Sequence, residues 1–330
     1  MELFRTLVPV PVSGKRIFYN SKVMLMGSCF SEYMGNHLSE ARFKTDSNPF
    51  GIVYNPLSVK RGLKRLINPV EYNPENLFLY EHVWYSFDHH SRFSDVKNEV
   101  SLSRINERLN ASASNLKGAD FIFITFGTSY VYQLKSTGEV VSNCHKLPAS
   151  EFHRRRIDID EIVSEYNSLL TELWIINPNL QVVFTVSPIR HWKDGPHDNQ
   201  LSKAILLLAI DEICKTHKQT FYFPSYELMM DDLRDYRFYD EDMLHPNKSG
   251  TNYIWQRFKE CFMGSDTIML MKEVEKVVQA RSHKPFNPGS EAFQAFVHQF
   301  YDKIQYLKEQ YKIDLYEEES YFRSFFNANS

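Results

Sequence analysis

The chain has 330 residues, enough for one large domain with an appendage or for two modest domains. Its formal net charge is −3 and neither half reads as a basic stripe, which argues against nucleic acid as a partner. No window approaches the roughly 20 consecutive apolar residues of a membrane-spanning helix, so no membrane span is expected.

The opening residues Met1-Glu2-Leu3-Phe4-Arg5 lack a basic segment followed by an apolar one, and no signal peptide is expected. Cys29, Cys144, Cys214 and Cys261 are scattered without C-x-x-C spacing, as suits reduced thiols and a cytoplasmic location. The 25 Phe and 19 Tyr can fill a core or line a substrate groove.

In chain order, the first apolar run is Val23-Met24-Leu25-Met26, read as a buried strand and followed by Gly27-Ser28. A helical stretch over 31–39 follows. The second strand is Phe121-Ile122-Phe123-Ile124-Thr125-Phe126, ending at Gly127. Helical spacing recurs over 159–176, where Ile162, Tyr166, Leu169, Leu170 and Leu173 share a face. The third strand is Gln181-Val182-Val183-Phe184-Thr185-Val186, with another helix predicted over 202–215. A last core helix is expected to begin at Pro246, whose missing N–H costs nothing in a first turn, and to run to about Phe262. Beyond it, residues 263–330 show two helical stretches, 268–280 and 290–311, separated by the breaker segment 282–289. The expected organisation is an α/β domain over 1–262, with helices on both faces of a mostly parallel sheet, and a helical C-terminal extension over 263–330. Those helices offer a surface for homo-oligomer formation; spacing alone does not say whether they cover the ligand site, pack behind it or mediate dimerisation.

Ligands in such folds bind beyond the carboxyl ends of the strands, so the loops at Gly27-Ser28, Gly127-Thr128-Ser129 and Ser187-Pro188-Ile189-Arg190-His191 are the place to look. Ser28 can be a nucleophile if a histidine base and an oxyanion site lie near it, or simply an N-cap with Glu32 in the first turn. Asp242 and His245, three positions apart, project to one side of a turn, where the carboxylate can orient the imidazole. Asp242 can equally be a turn cap, leaving His245 incidental.

Taken together, the order and spacing resemble the SGNH (GDSL-type) hydrolases, and Gly27-Ser28-Cys29-Phe30 resembles the signature of the GSCFA family, a bacterial branch of that superfamily. The fifth signature residue, usually Ala, is Ser31 here. Further blocks look similar: Asn48-Pro49-Phe50-Gly51 with Tyr54-Asn55-Pro56, Thr125-Phe126-Gly127-Thr128, Asn143-Cys144-His145-Lys146, Val186-Ser187-Pro188-Ile189-Arg190-His191 with Asp194-Gly195, and Leu233-Arg234-Asp235-Tyr236-Arg237-Phe238-Tyr239. The resemblance covers about residues 20–262. It implies a three-layer α/β/α sandwich and a serine esterase or acyltransferase, with Ser28 as nucleophile, His245 as base and Asp242 as its orienting carboxylate. It also implies an oxyanion hole from the N–H groups of Ser28 and Gly51. The superfamily's third donor, an Asn shortly after the third-strand glycine, is absent, because Gly127 is followed by Thr128 and Ser129. Asn143 is the candidate replacement.

Arg190, His191, His145 and Lys146 are further candidates for contacting substrate, against an Arg190–Asp194 ion pair and a solvated Lys146. The thiol of Cys29 is expected to point away from Ser28 into a buried structural role. Asp88-His89-His90 lacks a third ligand of matching spacing, and no metal or cofactor is expected. The run Arg154-Arg155-Arg156 reads as a solvated loop or helix start. The expected substrate is a small acyl ester, with O-acylated carbohydrate a first guess from the resemblance. A degenerate hydrolase used for binding, or an acyltransferase dependent on Cys29, are the rival readings.

Overall fold

In the computed structural model, which describes residues 6–282 and 287–326, the three apolar runs become the central strands of one parallel sheet. Strand β1 (Lys22–Gly27) leads through helix α1 (Cys29–Glu40) to β2 (Lys44–Ser47). Helix α2 (Pro56–Ile67), the hairpin of β3 (Phe78–Tyr80) and β4 (Val83–Tyr85), and helix α3 (Asn98–Lys117) precede β5 (Phe121–Phe126). A small antiparallel sheet of β6 (Tyr130–Leu134), β7 (Val140–Val141) and β8 (Phe152–Arg156) is inserted next. Helix α4 (Ile159–Ile176), β9 (Gln181–Val186), α5 (Gly195–Thr216) and β10 (Thr220–Tyr222) follow. A single turn, α6 (Ser225–Glu227), runs on into five π-helical residues, Leu228–Asp232. The helices α7 (Lys248–Phe262), α8 (Ser265–Arg281), α9 (Glu291–Tyr311) and α10 (Tyr316–Ser324) complete the chain.

The main sheet has the order β10-β9-β5-β1-β2, and every pairing in it is parallel. The chain moves from β1 out to β2, then returns to the other side of β1 for β5. The loops after β1 and β5 therefore diverge at a topological switch point, where α/β sheets open a crevice. Along β1, Met24 and Met26 join Ile122, Ile124 and Phe184 in one core. Val23 and Leu25 join Phe121, Phe123 and Val183 in the other, as the alternation of a strand requires. Both faces are buried, which is why these strands read as continuous apolar runs. Helices α2 to α5 cover the first face, and α1 and α7 the second, giving a three-layer α/β/α sandwich.

The second core continues into the C-terminal helices through Met271, Val274, Val277, Val297, Ile304 and Leu307. Among the described residues three helices stand here, where apolar spacing predicts two. The missed one, α10, has an acidic first turn of Glu317, Glu318 and Glu319, which hides its short apolar face around Phe322. Glu318 is fully buried, paired with Arg42 from the turn between α1 and β2, and Arg281 shares Glu317. The region packs behind the sheet, on the α1/α7 face. Pro246 is not the first helical residue of α7: Asn247 caps that helix, its side chain accepting the N–H groups of Ser249 and Gly250. Residues 283–286 of the breaker segment, and Met1 to Arg5, lie outside the described residues. No helix among the described residues is long and apolar enough to cross a membrane.

Candidate active site

Ser28 stands where β1 becomes α1. Its backbone is extended, and its Oγ accepts the Phe30 N–H at 3.3 Å, so it caps the helix. The cap does not conceal it: Ser28 lines a cavity of about 490 Å³ at the carboxyl edge of the sheet. Gly27 makes that placement possible. Its φ is +140°, and a Cβ there would lie 2.1 Å from the Thr125 carbonyl oxygen on β5. Only a residue without a side chain lets the two strand ends approach so closely. Buried Asn48 then locks the junction, accepting the Gly27 N–H on its side chain at 2.9 Å while its own N–H donates to Leu25.

His245 reaches the same cavity from the opposite side, on the turn before α7. Its Nδ1 lies 2.5 Å from Asp242 Oδ2, and Asp242 Oδ1 accepts the N–H groups of Leu244 and His245 at 2.9 Å each. Those donors, the His245 backbone N–H foremost, hold the Asp242 carboxyl at about 2, so it is ionised. An ionised carboxylate only accepts, so Nδ1 carries a proton, and in the neutral form of the imidazole Nε2 is the acceptor. No hydrogen bond joins Ser28 Oγ to His245, although both face one space. Catalytic hydrogen bonds are commonly long until substrate is bound.

The other sequence candidates divide. Asn143, Arg190 and His191 line the cavity. Asn143 Oδ1 accepts the His145 N–H, and its Nδ2 has no partner among the described residues. Burial, with Lys203 next in weight, lowers His191 to about 4, so it is neutral. His145 and Lys146 do not line the cavity, contrary to expectation. His145 is buried with Nε2 against the Ser86 carbonyl, and both residues have positive φ, so the loop turns them away. Gly51 is also away from it. Its N–H donates to the Asn48 carbonyl at 2.8 Å and its open face packs on His90, so the expected oxyanion donor is a turn glycine instead. The Ser28 N–H donates to the Thr125 carbonyl at 3.2 Å, whereas the Cys29 N–H, first in α1, has no backbone acceptor among the described residues.

Cys29 is a further correction: it is half-buried and lines the cavity beside Ser28, because the chain is already turning into a helix there. Burial pushes its thiol up to about 11. The arginine run is neither loop nor helix start but strand β8; Arg154 lies 4.0 Å over the Tyr130 ring and pairs with Asp194, taking the carboxylate considered for Arg190. Asp88 pairs with Arg61 and buried His89 bonds Ser86. Among the described residues no group of three His, Cys, Asp or Glu side chains is arranged to hold a metal. The aromatic residues divide between core and cavity, with Tyr19, Tyr72, Tyr166, Tyr226 and Trp255 also buried in the cores. Phe121, Phe123, Phe258 and Phe262 build the core, while Tyr54, Tyr130, Tyr132 and Trp192 line the cavity.

One residue escaped sequence reading altogether. Lys203 of α5 is 1% exposed, and its Nζ donates at 2.8 Å to the carbonyls of Gly127 and Ser187. It clips together the ends of β5 and β9 beneath the cavity, and burial lowers it to about 7. A signal was present: Lys203 falls on the same stripe as Leu206, Ile210 and Ile213, the buried face of its helix. A larger hollow, about 1090 Å³, lies between residues 18–20 and helices α8 and α9, but no Ser, Cys or His lines it.

A comparison with curated proteins finds no match. Among solved structures, a family 3 carbohydrate esterase of Clostridium thermocellum is 14% identical, with 77% of this chain and 98% of that one covered and a TM-score of 0.33. An acetyl xylan esterase from the rumen bacterium Butyrivibrio proteoclasticus is 14% identical, covering 73% and 63% with a TM-score of 0.37. A carbohydrate esterase of family 3 from Talaromyces cellulolyticus is 11% identical, covering 77% and 99% with a TM-score of 0.33. The C-terminal domain described for GSCFA domain proteins matches residues 274–328. The GSCFA family model itself matches residues 22–258, from the start of β1 to within α7, and the chain therefore belongs to the GSCFA family.

Proposed function

We propose that this protein is a serine esterase that works through an acyl-serine intermediate. The observation that carries the reading is the convergence of Ser28 and His245 on one cavity, with Asp242 Oδ2 2.5 Å behind His245 Nδ1. Ser28 Oγ attacks the acyl carbonyl carbon while His245 Nε2 takes its proton. The tetrahedral adduct collapses as His245 returns that proton to the leaving alcohol oxygen. A water then attacks the acyl-serine, giving its proton to His245, and the second adduct collapses as His245 passes that proton to Ser28 Oγ, releasing the acid and restoring the serine hydroxyl. Asp242 keeps the imidazole in the tautomer this cycle needs and offsets its charge when protonated.

For the developing oxyanion, the available donors are the Cys29 N–H at the start of α1 and the Asn143 amide. Each such donor contributes roughly 100- to 1000-fold in rate. Tyrosine and tryptophan faces around the cavity favour an ester carried on a sugar or similar polyol, since they offer apolar bodies with polar rims. A reaction through Cys29 is less well supported, because a buried thiol kept protonated is a weak nucleophile.

A fluorophosphonate probe, which needs an activated serine, is expected to label the wild type and leave Ser28→Ala unlabelled. Hydrolysis of 4-nitrophenyl acetate should disappear with the label. A folded Ser28→Ala protein that retains turnover would remove Ser28 as nucleophile, and an unlabelled, inactive wild type would favour a binding module.

A further inference from the structure

Arg190 sits between two hollows. It lines the Ser28 cavity and also an adjoining groove of about 500 Å³, with Trp192 and Leu244 shared by both. The groove is walled by Trp192, Tyr236 and Tyr239, and Trp192 and Tyr236 are 49% and 74% exposed.

The guanidinium there is incompletely satisfied. Its Nε is buried without a hydrogen-bond partner, and its Nη2 meets only the Met230 thioether, a weak acceptor, at 3.2 Å. No carboxylate among the described residues pairs with it. The neighbouring acids are taken: Asp194 by Arg154, Asp231 by Arg234, Asp235 by Arg237 and Asp242 by His245. Arginine is always charged, and burying one of its N–H groups unpaired is costly unless something returns to it. Nη1 has no partner among the described residues, and a planar two-oxygen anion can take the end of the fork formed by Nη1 and Nη2.

We propose that Arg190 is a subsite for a carboxylate on the substrate, so that the ester cleaved at Ser28 is carried by an acidic sugar whose neutral faces rest on the groove aromatics. The proposal rests on the reading of the Ser28 cavity as the substrate site. It predicts discrimination by charge: the acid is favoured over its neutral counterpart, and salt weakens the preference.

The test uses the full-length Ser28→Ala protein, so that binding is measured without turnover, and methyl glucuronide, methyl glucoside and glucose 6-phosphate as probes, by ligand-observed NMR. The glucuronide should bind about 10- to 100-fold more tightly than the glucoside, the scale of a charge-assisted hydrogen bond. Adding Arg190→Gln should erase that difference, and Arg190→Lys, which keeps the charge but loses the fork, should restore only part of it. Equal or absent binding of glucuronide and glucoside would overturn the proposal, as would a preference unchanged by Arg190→Gln in a protein with native circular dichroism. Tighter binding of the phosphate than of the glucuronide would overturn the assignment to a carboxylate. Failure of the wild type to take the fluorophosphonate label would instead count against the esterase reading and leave a positive binding result standing.

Discussion

Ser28 and the Asp242–His245 pair meet in one cavity but are built in opposite ways. Ser28 is 1% exposed and owes its position to long-range contacts: Gly27 against β5, Asn48 across the β1 end, and the helix that Ser28 itself caps. Asp242 and His245 have side chains 46% and 38% exposed, and their geometry is closed within a few residues by the carboxylate's bonds to Leu244 and His245. Met243 takes a positive φ between them to make the turn. One half of the site is thus held by the sheet and the other is a self-contained turn. Changes on the sheet side should disturb folding as well as chemistry, and changes on the turn should disturb chemistry alone.

The largest effect is expected at the serine. Ser28→Asn keeps an oxygen for the helix cap but removes the hydroxyl proposed as nucleophile and enlarges a buried side chain, so kcat should fall by at least about 10,000-fold together with a loss of stability of about 1–3 kcal/mol. Steady-state kinetics beside thermal melts separate the two roles; a large fall in Tm with measurable kcat would make Ser28 a cap only. Next comes Asp242→Asn, which preserves the turn's backbone acceptor but not the ionised partner of Nδ1. It should lower kcat by about 1,000- to 10,000-fold, with a stability change within about 0.5 kcal/mol. Unfolding of that variant would show that the turn is not self-contained.

A smaller effect, and one on stability, is expected at Gly51. Its φ of +79° and the His90 Cβ 2.2 Å from a would-be Cβ make Gly51→Ala destabilising by about 1–3 kcal/mol, read from denaturant midpoints. Because its N–H is engaged by Asn48, kcat per folded molecule should be retained. A 100-fold loss of kcat at unchanged stability would return Gly51 to the oxyanion site.

The smallest effect concerns Lys203, whose folded value near 7 lies below its ordinary 10.5. Between those values the unfolded chain binds more protons than the folded one, so stability should rise with pH across this window. Below about pH 7 the full penalty of burying the charge remains. Relative to Lys203→Met, the wild type should gain up to about 1 kcal/mol per pH unit from pH 7 to 9. A flat difference between the two proteins across that range would contradict a buried, easily deprotonated lysine.

How much of this was legible depends on the range of the interactions involved. The strands 121–126 and 181–186 were readable to the residue because burial on both faces leaves an uninterrupted apolar run. The helix over 159–176 was readable because its buried face repeats at 3.6 residues. Helix α5 begins seven residues earlier than the predicted 202, since Gly195-Pro196 sits at its first turn and reads as a breaker. Helix α10 was missed because a buried glutamate occupies a position where an apolar residue would be expected.

The sequence by itself determined the parallel α/β sandwich, the strand-end serine and the Asp-x-x-His turn, because periodicity and short spacing are local properties of a chain. Only the tertiary structure decided what surrounds that serine. Gly51 is turned into its own loop, Cys29 is brought to the cavity wall, Lys203 is buried under the strand ends and Arg190 is left without a carboxylate among the described residues. Each outcome depends on which distant groups reach one another across the sheet edge, and residue order encodes those meetings only through the folded packing.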